Sequence, residues 1–143
     1  MSNYKINIES IYPGIKVRKK QIKDLVQILL TNEGIVKAKI NIILVGDRYI
    51  IKLNQQFLNK QTTTDVLSFC LSDENDAQLE GEVYANIEQI IRQADEYHLA
   101  FNEELSRIVI HGLLHLIGFN DQTDEDKQVM TQKENQYLAI LQE

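Results

Sequence analysis

Proline occurs once in this chain of 143 residues, cysteine once and tryptophan not at all. A lone cysteine, Cys70, excludes an internal disulfide, so burial must hold the fold. Its place in an apolar, strand-like run reads as a small core residue of a protein kept in a reducing compartment. One proline and six glycines leave no Pro- or Gly-rich linker, and no repeat or low-complexity tract divides the chain. Long apolar runs are missing too. The most apolar stretch, Ile108 to Ile117, is broken by two histidines and a glycine and falls well short of the ~20 residues that span a bilayer. Met1 to Ser10 alternates polar and apolar residues and lacks the apolar centre of a signal peptide. The expectation is one cytoplasmic domain over residues 1–143, with no membrane contact.

What is present is ordinary for a packed domain: 43% hydrophobic and 25% charged residues, which excludes disorder as the starting assumption. The net charge of −6 argues by itself against nucleic acid, but the charge is unevenly spread. Residues 1–64 hold eleven Lys and Arg against four Asp and Glu, a net of +7; residues 65–143 hold four against seventeen, a net of −13. Solvated helix faces of different sign account for this as well as a functional lobe does. In the functional reading, Lys16, Arg18, Lys19, Lys20, Lys23, Lys37 and Lys39 hold phosphates beside a site built by the acidic half.

Hydrophobic periodicity sets out the elements. Tyr4, Ile6 and Ile8 alternate as in a half-buried strand, and Pro13-Gly14 marks a turn. From Lys19 to Thr31 the residues Ile22, Leu25, Val26 and Leu29 recur at helical spacing, closed by Asn32-Glu33-Gly34. Lys39 to Val45 reads as a strand. Asp47 is placed to cap a helix with Tyr49, Ile50, Leu53 and Phe57 on one face. Val66 to Leu71 is a further apolar strand, an acidic loop covers Ser72 to Glu80, and Glu82 to Ala85 is a short strand. Asn86 caps a helix with Ile87, Ile90, Ile91, Ala94 and Tyr97 inward, and Asn102 caps the next, which ends at Gly118. A last helix starts at Thr123 or Asp124 and turns Met130, Tyr137, Leu138 and Leu141 inward. The order β-α-β-α-β-β-α-α-α gives an α+β fold: a small mixed sheet of about four strands with about five helices. Periodicity does not give the strand order.

Two histidines, His111 and His115, stand four apart on the helix that ends at Gly118, so their rings leave one face a turn apart. That spacing lets a helix offer two nitrogens to one metal ion; alone it is a weak signal, and two half-buried histidines bonded to neighbours are the commoner explanation of such a pair. Gly118 then permits the chain to fold back, and Asp121 arrives six residues after His115 with the reach of a third ligand. A turn or capping role is the competing explanation for Asp121. Three protein ligands leave a position for water, as in a catalytic site, and a bound ion lowers that water's pKa from ~15.7 towards ~7. Zinc suits the set, and Fe(II) or another transition metal is also accommodated. In zinc peptidases with H-E-x-x-H a glutamate beside the first histidine is the general base. Here that position is Gly112, which disfavours peptidase chemistry. His98, after Tyr97 at a helix end, reads as a surface residue.

The run His111-Gly112-Leu113-Leu114-His115-Leu116-Ile117-Gly118-Phe119 resembles the signature of the YbeY family, bacterial endoribonucleases of rRNA maturation. A second block, Leu53-Asn54, Phe57, Lys60 and Thr64-Asp65-Val66-Leu67-Ser68-Phe69, is similar to that family's central motif. Gly81-Glu82-Val83 matches its Gly-Asp-Ile strand loosely, and Glu134 falls where the family has a glutamate in its last helix. The likeness covers most of residues 40–140. It implies a metal-dependent endoribonuclease acting on rRNA precursors or in ribosome quality control, with one divalent ion, zinc above others, and with RNA and ribosomal components as partners. Carried over position by position, His111 and His115 match two metal ligands, and Asp121 stands where the third is usually histidine. Leu58 replaces an arginine common in the family, leaving phosphate clamping to Lys60 or Arg48, and Thr63 replaces a frequent proline. Thr64, Asp65 and Ser68 are expected to line the cleft, with strand capping and a buried hydroxyl as the competing roles. No general acid or base is identifiable. Two other functions stay open: a metal-dependent peptidase or other hydrolase, and a non-catalytic RNA- or ribosome-binding protein with a relict site.

Overall fold

The computed structural model describes residues 3–59 and 62–141. Four strands, β1 (Asn3–Ser10), β2 (Lys37–Val45), β3 (Val66–Cys70) and β4 (Leu79–Asn86), and five helices, α1 (Lys19–Asn32), α2 (Asp47–Leu58), α3 (Ile87–Glu96), α4 (Phe101–Ile117) and α5 (Asp124–Leu141), make up an α+β fold. The sheet is mixed, in the order β1-β2-β4-β3, with β1, β2 and β4 parallel and β3 antiparallel to β4. Each parallel step needs a crossover: α1 supplies the first, and α2 with the β3 hairpin arm supplies the second. Among the described residues no helix is long and apolar enough to cross a membrane.

Alternation decides which sheet face each side chain meets. Ile40, Ile42 and Leu44 of β2 and Val83 and Ala85 of β4 turn to one face, where they join buried residues of α1, α3, α4 and α5 in the main core. Ile43 and Val45 turn to the other, where among the described residues α2 covers them through Ile50. Because α2 shields a narrow strip, its expected apolar face is only partly buried. Tyr49 and Phe57 lie exposed, resting edgewise or stacked on Tyr84 and Phe69. The same geometry corrects α3, where Ile87, Ile90 and Ala94 are buried but Ile91 and Tyr97 face outward. Cys70 is also exposed, not a core residue. It ends β3 at the hairpin, and its Sγ contacts the Ser72 carbonyl at 3.4 Å.

The helix ends follow side-chain chemistry closely. Asn86 accepts from the N–H groups of Glu88 and Gln89 at the start of α3, as expected of a cap. Thr123 Oγ1 does the same for Asp126 in α5. Asn102 is no cap: α4 begins at Phe101, and Ala100 occupies the capping position with no side-chain bond. Asp47 opens α2 from inside its first turn, and its own N–H is bound by Glu88 Oε1 at 2.9 Å. The Asp47 carboxylate is thereby free to receive both Arg92 nitrogens at 2.9 and 2.8 Å, with Asn86 Nδ2 and Thr63 Oγ1 adding bonds at 2.7 and 3.0 Å.

Gly112, at the middle of α4, is where helix and sheet come closest. A Cβ there would lie 2.8 Å from Val83 Cγ1, 2.9 Å from Val66 Cγ2 and 3.0 Å from Ser68 Oγ. Ser68 Oγ donates to the Gly112 carbonyl at 2.8 Å, so helix and β3 are joined at the point of contact. A side chain at position 112 therefore points into the sheet. At the far side, Lys133 and Tyr137 of α5 both bond the Glu33 carboxylate at the end of α1. Tyr137 is wholly buried.

Two measurements test this account. Gly112→Ala gains helix propensity of ~1 kcal/mol but must push α4 off the sheet, so we expect net destabilisation of about 1–3 kcal/mol in urea unfolding; a neutral or stabilised variant would show that the contact has slack. Arg92 beside Asp47, against some opposing burial and with help from Asn86 and Thr63, lowers that carboxyl from 3.8 to about 2. A depressed carboxyl stabilises the fold fully above its unfolded pKa and ceases to do so as pH falls through the folded one. Asp47→Asn should therefore cost up to about 1 kcal/mol near neutrality, a modest figure because Arg92 is half exposed. The gap to the parent protein should close between pH 4 and pH 2. A gap independent of pH would assign the cost to something other than the ion pair.

Candidate metal centre

The helix α4 carries His111 and His115 on its half-buried face, one turn apart, with ring centroids 4.6 Å from each other. Gly118 follows at φ +117°, a conformation that glycine adopts without a Cβ penalty. Its N–H and that of Phe119 close the helix on the carbonyls of His115 and Leu114. The reversed chain brings Asp121 back to the histidines: Asp121 Oδ2 lies 3.6 Å from His111 Nε2 and 3.8 Å from His115 Nε2, while the two Nε2 atoms are 3.0 Å apart. The ligand atoms of all three groups lie within 4.8 Å of one another, and among the described residues they form the one His/Cys/Asp/Glu cluster whose geometry could hold a metal ion.

The donor triangle can be compared with what an ion requires. Tetrahedral bonds of ~2.0–2.1 Å place ligand atoms about 3.3–3.4 Å apart, and the three edges here bracket that value. The histidine tautomer fits as well. Glu134 Oε2 is 2.8 Å from His111 Nδ1; a carboxylate only accepts, so Nδ1 carries the hydrogen and Nε2 presents its lone pair to the cluster. Burial opposes charge on His111, but the Glu134 hydrogen bond and charge, with Asp65 and Asp121 adding, outweigh it and raise its pKa above the ordinary value. Such a site attracts positive charge. The Asp121 side chain is 45% exposed, which leaves an open side to the cluster.

Two cavities meet at these side chains. One, of about 560 Å³, is lined by Thr64, Asp65, Val66, Leu67 and Ser68 together with His111, His115 and Asp121. The other, of about 350 Å³, shares Asp65, His111 and Asp121 and extends past Gln93, Arg107 and Lys127. Thr64, Asp65 and Ser68 line the first of these cavities. Ser68 commits its hydroxyl to Gly112, and the Thr64 and Asp65 carbonyls accept from Asn86, so each also has a structural role.

The expected phosphate clamps are elsewhere. Arg48 lines a shallow cavity with Asp47, Ile51 and Lys52 on α2, Leu58 is an exposed residue at the end of the same helix, and Lys60 lies outside the described residues. Neither cavity at the cluster draws on the basic N-terminal lysines. The cations that line the second cavity are Arg107 and Lys127, and the first is lined by none. Arg107 is not among the residues singled out from the sequence, although its place four residues before His111, on the same helix face, is the signal that would have found it. Its Nε is 3.3 Å from the buried Glu104 Oε1, and its Nη1 is 3.9 Å from Glu134 Oε1. Gln93 donates to the other Glu104 oxygen at 2.9 Å.

Fold and site together define a class: a mixed sheet backed by a helix that presents two histidines, and a returning carboxylate, at the open edge strand. Comparison with known proteins gives the family within it. The family described as Endoribonuclease YbeY matches residues 6–142. The Endoribonuclease YbeY of Flavobacterium psychrophilum is 36% identical over 97% of this chain and 94% of its own length. That of Chloroherpeton thalassium is 41% identical over 85% of each. The solution structure of TM1509 from Thermotoga maritima superposes with a TM-score of 0.67 at 31% identity, over 95% of this chain and 88% of the other. The chain belongs to the YbeY endoribonuclease family.

Glu134 is buried and bonded to His111 from behind, an arrangement that fixes ring orientation and raises the basicity of the other nitrogen. Glu134→Ala should weaken divalent-metal binding by about 10–100-fold, read by titration against a chelating indicator. Unfolding of the metal-free variant, measured alongside, separates loss of the ion from loss of the fold. Unchanged affinity would mean that the Nδ1 contact orients nothing.

Proposed function

We propose that the chain is a metal-dependent endoribonuclease of rRNA maturation and ribosome quality control, acting as one cytoplasmic domain on RNA held near ribosomal components. His111, His115 and Asp121 hold one divalent transition-metal ion, zinc by the borderline character of two imidazoles and a carboxylate. The observation that carries the reading is the donor triangle itself, of ion-binding size and open on one side. When bound, such an ion supplies Lewis acidity to a phosphoryl oxygen and acidifies a water molecule.

The chain's own residues do the rest. Glu134 holds the proton on His111 Nδ1, so that Nε2 faces the cluster. Ser68 and Gly112 fix α4 against β3 and so set the depth of the cleft. Arg107 and Lys127, along the second cavity, carry the positive charge that an RNA strand needs beside the carboxylates. Asp121 in place of a third histidine makes the site harder and less positive. Peptidase chemistry of the H-E-x-x-H type is disfavoured, because a side chain at position 112 is directed into the sheet and away from the ligands.

His111→Ala and His115→Ala should each abolish both bound metal, by elemental analysis, and cleavage of a single-stranded RNA, by gel assay. Either variant cutting RNA at the parent rate would sink the assignment. A parallel panel of peptide and ester substrates should show no turnover that depends on added metal.

A further inference from the structure

β3 is the last strand of the sheet, and its outer edge is bare. Hydrogen bonding to β4 is fixed by the flanking pairs: Asn86 N–H donates to the Asp65 carbonyl at 2.8 Å and Leu71 N–H to the Glu80 carbonyl at 2.7 Å. In an antiparallel ladder the bonded positions alternate. With the register Val66↔Ala85 through Cys70↔Gly81, the odd residues Leu67 and Phe69 bond to β4. The even residues Val66, Ser68 and Cys70 turn both N–H and C=O outward. Among the described residues none of those three N–H groups has a partner. The edge carries no charge, proline or bulge, the devices by which proteins protect an open strand, whereas β1 at the opposite edge bears Lys5 and Glu9. This bare edge borders the cavity that holds the three ligands.

We infer that the free edge of β3 is the track on which single-stranded RNA is laid extended across the ligand cluster. The N–H groups of Val66 and Ser68 donate to phosphate oxygens, and their carbonyls accept from ribose 2′-hydroxyls. Two observations favour RNA as the occupant. An exposed edge alternates donors and acceptors, and the RNA backbone answers both, since the 2′-hydroxyl is a donor that DNA lacks. The track also runs on, past Asp65, His111 and Asp121, into a cavity whose lining mixes Arg107 and Lys127 with Glu104 and Glu134, where RNA offers phosphates to the cations and hydroxyl donors to the carboxylates. The inference rests on the endoribonuclease reading and adds to it the binding element and the basis for choosing RNA over DNA.

Amide hydrogen exchange by NMR on the metal-loaded protein tests it. In the free protein, Leu67 and Phe69 should exchange slowly and Val66 and Ser68 quickly. A saturating phosphorothioate RNA of about six nucleotides, resistant to cutting, should slow Val66 and Ser68 by roughly tenfold, and DNA of the same sequence should slow them less. Bound RNA that leaves these two amides unchanged, equal protection by DNA, or protection by a strand-forming peptide and not by RNA would each overturn the track. Cleavage of unmodified RNA by the same preparation keeps the two readings apart. Cutting without protection removes the track alone, and absence of cutting removes the enzyme reading as well.

Discussion

The contact between Gly112 and β3 is the constraint on which the rest of the molecule depends. A helix that carries metal-ligating side chains must be held at a fixed height above the sheet, or the cleft between them has no defined width. Here the missing side chain allows α4 to lie against Val83 and Val66, and Ser68 bonds across the seam. Everything near the cluster is referenced to that seam: the two histidines, four residues and one helical turn apart, the strand edge beside them, and the reversal at Gly118 that returns Asp121. A glycine in mid-helix lowers helical propensity, a local cost accepted for tertiary closeness.

A second layer of support lies behind the two histidines. Glu134 reaches His111 from α5, and α5 is in turn fastened to α1 through Glu33, which Lys133 and Tyr137 both grip. The residue that orients the imidazole therefore stands next to the residue that anchors its helix. In this way the N-terminal crossover, remote in sequence, contributes to the precision of the site. Arg107 and the buried Glu104 extend the polar chain sideways to Gln93 of α3, so all three helices that contact α4 take part.

Much of this was legible in the residues. The period of the apolar positions located all nine elements, because each strand or helix buries one face against a common core. The cap at Asn86, the reversal at Gly118 and the closeness of His111, His115 and Asp121 were readable because each is set by spacing within a few residues. What was not legible depends on distant partners. Cys70 looks like a core residue in its apolar run, yet a strand that ends at a hairpin on the sheet edge has no second layer to cover it. Ile91, Tyr97, Tyr49 and Phe57 have inward spacing, but α2 and α3 cover less of the fold than their apolar content suggests. Asp47 fits a cap by position, and only the approach of Arg92, forty-five residues on, turns it into an ion-pair hub. The strand order, too, lies beyond periodicity.

The exposed thiol of Cys70 has a practical consequence. As the chain's sole cysteine, it permits a nitroxide or fluorophore to be attached at one known place without altering the sequence. It sits two residues beyond Ser68, about 7 Å along the strand. A reporter there would share the outer margin of β3 with whatever the cleft takes in, and would do so in the native protein.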